Sequence, residues 1–162
     1  MPALIGNRAH AAEAVENYNA LLDGFDSATG EWSCIGSGCF REAWLHMASD
    51  VVYKIEIDDS EPDYGNRAEW RNARALRRML WENVYIPLTS LYVLPSGAEV
   101  IAMEHIDGTL GKSQGSNSYY SKGYLELSRK AGFSDMHGAN FKINSKGKIV
   151  PIDMASERWP TE

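Results

Sequence analysis

The chain has 162 residues, 44% of them hydrophobic and 10% aromatic, enough for one globular domain or for two small lobes that share a cleft. Its net charge of −6 leaves no general nucleic-acid footprint. No run approaches the roughly 18 apolar residues of a membrane span. The opening stretch from Met1 to His10 lacks the long apolar region of a signal peptide, so no membrane association and a cytoplasmic setting are expected.

Cys34 and Cys39 stand without a paired Cys or His set, which argues against zinc and for free thiols in a reducing compartment. From Ala9 to Leu22, alanines, Val15, Tyr18 and Leu21-Leu22 recur at helical spacing, and Asp23-Gly24 is a plausible stop. This helix reads as a packing brace. After a polar turn at 27–30, strand-like residues flank Gly36-Ser37-Gly38, the pattern of a Gly-bearing hairpin. In the next strand, Val51, Tyr53, Ile55 and Ile57 fall on one face while Val52, Lys54 and Glu56 fall on the other.

Residues 58–65 form a polar connection, and a helix is predicted over 66–83 with Glu69, Ala73, Leu76 and Leu80 on one inward stripe. The same helix carries Arg67, Arg71, Arg74, Arg77 and Arg78, a basic cluster best read as a solvated face. Glu69 has two readings. It closes an Asn66-x-x-Glu69 capping box, or it turns inward to pair with a buried cation. Residues 88–94 and 99–106 read as strands joined by the turn Pro95-Ser96-Gly97, and 108–117 reads as linker. A helix over 118–130, stopped by Gly132, leads into the most informative stretch, 134–155.

There Asp135, Asn140 and Asp153 frame a hairpin pattern: strands over 141–144 and 148–152, with Ser145-Lys146-Gly147 as the turn. Such a hairpin returns Asp153 to Asn140 at its open end. Two hard oxygen ligands there suit a magnesium ion shared with phosphates. Asp135 is then a third carboxylate nearby, able to orient a hydroxyl nucleophile.

The spacing Asp135-x-x-x-x-Asn140 followed by a strand-borne Asp153 resembles the catalytic loop and metal-binding strand pair of the protein-kinase-like fold. Its form, D-x-H-x-x-N, is closer to aminoglycoside and small-molecule kinases, and to short phage-encoded kinase-like proteins, than to eukaryotic protein kinases. The resemblance spans 32–155. It implies an α+β fold: a small antiparallel-sheet lobe with one inward helix, and a truncated larger lobe of one helix, the catalytic loop and a β-hairpin. The corresponding divisions are a helical brace over 1–30, the small lobe over 31–107 and the abbreviated lobe over 108–162.

The resemblance also implies roles. Gly36, Ser37 and Gly38 cover nucleotide phosphates, Lys54 pairs with them, and Glu69 is the helix partner of Lys54. Val52 contacts adenine, Met103 guards the back of the pocket, and Glu104 to Ile106 offer backbone groups to the base. Asp135 orients the acceptor, and Asn140 and Asp153 hold Mg2+, with ATP as the nucleotide.

Several positions depart from the family pattern. Arg41 replaces the third glycine of the loop, Ala43 stands where Val is usual, and Phe133 replaces a histidine. Asp153-Met154-Ala155 lacks the glycine of D-F-G, and only nine residues follow Asp153, so an abbreviated larger lobe is expected. Three readings follow. The chain is an ATP- and Mg-dependent phosphotransferase acting on a hydroxyl, or an inactive kinase-fold binding protein such as a phage factor that inhibits or redirects a host protein, or an unrelated small α+β domain. The residues identify neither the acceptor nor the oligomeric state.

Overall fold

Alternation along the strand that carries Lys54 decides what each face of the main sheet meets. The structure, a computed structural model, describes residues 4–22, 31–37, 41–57, 65–110, 122–132 and 140–154. Strand β3 (Val51–Glu56) turns Val51, Tyr53 and Ile55 toward helix α1 (Arg8–Leu22), where they pack with Ala11 and Ala14. The predicted brace is thus a brace in fact. Strands β1 (Trp32–Ser37) and β2 (Arg41–His46) add Trp32 and Trp44 to that cluster. With β4 (Thr89–Val93) and β5 (Glu99–Glu104) they form a five-stranded antiparallel sheet in the order β1-β2-β3-β5-β4.

The opposite face meets helix α2 (Asn66–Arg77) through Ala73, Leu76, Ile101 and Met103. The helix is shorter than its apolar pattern predicts. It ends at Arg77, and Leu80, expected on the inward stripe, is 88% exposed. The reason is local: the Trp81 indole N–H donates to the Leu76 carbonyl at 2.8 Å, satisfying one of the helix's last acceptors and turning the chain away. The arginine face is exposed as expected, with Arg67 paired to Glu99 at 3.0 Å and Arg74 stacked 4.7 Å from the Trp70 ring.

A second, three-stranded sheet runs β6 (Gly108–Leu110), β7 (Phe141–Asn144), β8 (Ile149–Pro151). Its hairpin is the predicted one, with Gly147 at φ 76° in the turn. Strand β6 corrects the linker reading of 108–117, at least over its first three residues, which pair with β7. Gly108 makes that pairing possible, since a Cβ there would lie 2.3 Å from the Ile143 carbonyl oxygen. Gly108→Ala should therefore lower stability by about 1–3 kcal/mol, the usual range for forced overpacking. An unchanged urea midpoint would show that β6 and β7 can separate freely.

Helix α3 (Lys122–Ala131) ends before Gly132, as predicted, and buries Leu127 and Ala131. The segment after α2 is stitched to β8 by Tyr85 N–H to the Ile149 carbonyl (2.9 Å) and Ile149 N–H to the Asn83 carbonyl (3.0 Å). One apolar core consequently runs through both sheets, joining Leu76, Ile101 and Met103 to Phe141, Ile149 and Met154. No helix among the described residues is long and apolar enough to cross a membrane.

Candidate functional site

The inner face of the main sheet carries a buried lysine. Lys54, on the side of β3 opposite Tyr53, donates from Nζ to Glu69 Oε1 at 2.7 Å and also to the Ile152 carbonyl. Glu69 is completely buried, so its charge must be matched. Burial alone would raise its carboxyl; the Arg41 and Lys54 cations, with hydrogen bonds from Lys54 and the Met154 N–H, outweigh that and hold it down at about 2. The Lys54 pKa is lowered as well, because burial, with the neighbouring Arg41 charge, disfavours its ammonium more than Glu69 and Asp153 recover.

The capping-box reading of Glu69 is thereby corrected. Gly65 is the N-cap and offers no side-chain bond. The Glu56 carboxylate at the end of β3 accepts from the Asn66 N–H at 2.7 Å and places negative charge at the helix start. The Asn66 side chain instead donates to the carbonyls of Lys54 and Glu99, each at 2.8 Å.

Arg41 is the residue whose role the sequence did not reveal. The position where the family pattern has glycine opens β2, and its side chain is only 11% exposed. Nη1 donates to Glu69 Oε1 at 2.6 Å and to Asn66 Oδ1 at 3.2 Å, while Nη2 donates to Asp153 Oδ1 at 2.7 Å. Burial works against the guanidinium charge, yet the Glu69 and Asp153 carboxylates raise its pKa above the ordinary value.

Three backbone grips fix Asp153. Lys54 holds the Ile152 carbonyl before it; Glu69 accepts the Met154 N–H after it; Asn72 Nδ2 donates to the Met154 carbonyl at 2.7 Å. The Ile152 N–H donates to the Asn140 carbonyl at 2.9 Å, closing the hairpin where predicted and bringing the Asn140 and Asp153 segments together. Asn140 is buried, whereas the Asp153 side chain is 45% exposed.

Val52 and Met103 are direct cross-strand neighbours of β3 and β5, and both are buried on the Lys54 side of the sheet. The Glu104 N–H donates to the Leu88 carbonyl at 2.9 Å, and its carboxylate accepts from Tyr85 Oη at 2.6 Å and from the Leu88 N–H at 3.1 Å. Burial and that Glu104 bond push the Tyr85 hydroxyl up to about 12. The Ile106 carbonyl accepts from Lys142 Nζ at 2.9 Å. Gly36 and Ser37 lie in β1, where a Cβ on Gly36 would meet only Ala43 at an ordinary 3.8 Å. Gly38 and Asp135 lie outside the described residues.

Of the donors expected to hold magnesium, Asn140 and Asp153 lie on segments that the hairpin brings together, and one oxygen of Asp153, Oδ1, already carries the Arg41 guanidinium.

Antiparallel sheet, inward helix with its lysine–glutamate pair, connecting strand and carboxylate-bearing hairpin occur in the predicted order. The described residues thus have the α+β architecture of the kinase-like fold. No family model matches the chain, and no curated protein matches it. Among solved structures it is similar to the apo form of PpkA-294, at 13% identity and a TM-score of 0.48, over 81% of this chain and 60% of that one. It is also similar to APH(2")-IIia in complex with GDP and kanamycin, at 16% identity and a TM-score of 0.43, over 60% of this chain and 32% of that one. The chain therefore spans less than two thirds of either structure's length.

Proposed function

We propose that the chain binds the phosphates of ATP between the β1–β2 strands and the β7–β8 hairpin, and transfers a phosphoryl group to a hydroxyl acceptor. The observation that carries this reading is the buried Lys54–Glu69 pair at 2.7 Å, set on the inner sheet face beside Asp153. A lysine so held cannot swing away, and a cation fixed in advance stabilises charge developing on a transferring phosphoryl group without reorganisation. Arg41 adds a second fixed positive charge at the same place. Val52 and Met103 supply an apolar floor for the base, and Asp135 would accept the acceptor's proton.

A second reading, a kinase-fold protein that binds a partner without turnover, is favoured by one observation. Asp153 Oδ1 is bonded to the Arg41 guanidinium, where a phosphotransferase would direct it to a metal. The test is transfer from labelled ATP, alone and with cell proteins as acceptors, alongside melting temperature with and without ATP. Transfer that disappears in Asp135→Asn supports the phosphotransferase. Stabilisation by ATP with no transfer supports the binding protein, and neither effect rejects both nucleotide readings.

A further inference from the structure

Resting on the nucleotide-binding reading above, we propose that Arg41 stands in for a divalent cation at Asp153, so that ATP binds this site without magnesium. Arg41 is a built-in group, not a surface arginine that happens to touch a carboxylate. It is anchored to Asn66, Glu69 and Asp153, which come from α2 and from the chain just after β8. Those bonds use three of the five N–H donors of a guanidinium, whose planar fork suits phosphate as well as carboxylate. The cluster reaches solvent on the Asp153 side, where that side chain is 45% exposed against 11% for Arg41, so a phosphate would approach Arg41 beside this carboxylate.

Arg41 already places a positive charge against Asp153, and it does so among carboxylates on several sides: Glu69, Asp153 and, across the β2–β3 pair, Glu56. A divalent ion on Asp153 Oδ1 would share that oxygen with Nη2 or displace it, and in either case would sit beside a guanidinium held by Glu69, a carboxylate that Lys54 also uses. Like charges at that separation in a half-buried site repel strongly. Arg41 and magnesium thus compete for one oxygen, and the arginine is covalently present.

The experiment is calorimetric titration of the whole chain with ATP, once with EDTA and once with excess magnesium. Comparable affinity in the two buffers, within about threefold, is the expected result, since three- to fourfold is well under 1.4 kcal/mol. Arg41→Gln should weaken binding in EDTA by at least about tenfold, as truncating a buried charge partner does, and magnesium should restore part of it through the freed Asp153. Circular dichroism establishes that the variant is folded, and the wild-type comparison needs no variant at all. Wild-type binding seen only with magnesium would overturn the inference while leaving the nucleotide reading intact. No binding in either buffer would overturn both.

Discussion

Glu69→Gln is expected to lower the unfolding free energy by about 3–5 kcal/mol, the usual cost of removing one partner from a buried ion pair. The side chain is fully buried and neutralises both Lys54 and Arg41, so an amide leaves two cations facing one carboxylate, Asp153. It also weakens the acceptor for the Met154 N–H. Chemical denaturation with a shared slope measures the difference. The same residue sets an acid limit. The Glu69 carboxyl lies at about 2 in the folded chain against an ordinary 4.5, so the unfolded chain takes up this proton first as pH falls. Its contribution to stability is complete above about pH 4.5 and drains away toward pH 2. Melting temperature should fall more steeply across that window in the wild type than in Glu69→Gln. Parallel curves, or an unfolding free energy lowered by less than about 1 kcal/mol, would mean that Glu69 is not charged in the folded chain.

Lys54→Met is expected to slow phosphoryl transfer by about a hundredfold or more, the scale seen when one pre-positioned charge is lost from a reacting centre. Its effect on stability should be milder than that of Glu69→Gln, because Arg41 still neutralises Glu69 and the methionine fills the apolar part of the lysine stem. Transfer rate and denaturation midpoint in the same variant separate the two roles. Unimpaired transfer would leave Lys54 with a purely structural part.

Much of this site was legible from spacing alone. Period-two alternation put Lys54 opposite Tyr53, and Gly147 between two short apolar runs fixed the hairpin that returns Asp153 to Asn140. The inward turn of Glu69 was readable from the helix stripe, but the competing capping box could be dismissed only once Glu56 was seen to cap the helix from a distant strand. Asn66 and Asn72 lie three residues to either side of Glu69, on the same stripe, and are fully buried. Polar residues repeating along an apolar stripe are a sequence signal that something must satisfy them, and here they hold backbone carbonyls. Arg41 gave no such signal. Its partners lie 25, 28 and 112 residues away, and no local period encodes a bond of that range. The early end of α2 was hidden for a related reason, since the Trp81 side chain competes with a helix pattern that continues to Leu80.

The grips on Asp153 act through peptide groups: the carbonyl of Ile152 and both the N–H and carbonyl of Met154. Every residue type carries those atoms except that proline lacks the N–H. The aim of this carboxylate is thus uncoupled from sequence drift at its flanks. Position 152, half-buried and also donating its N–H to Asn140, keeps these backbone bonds with any residue but proline, and position 154 asks for an apolar side chain that fills the core. Homologous chains could therefore lose all trace of the D-F-G wording around this aspartate and still point it the same way.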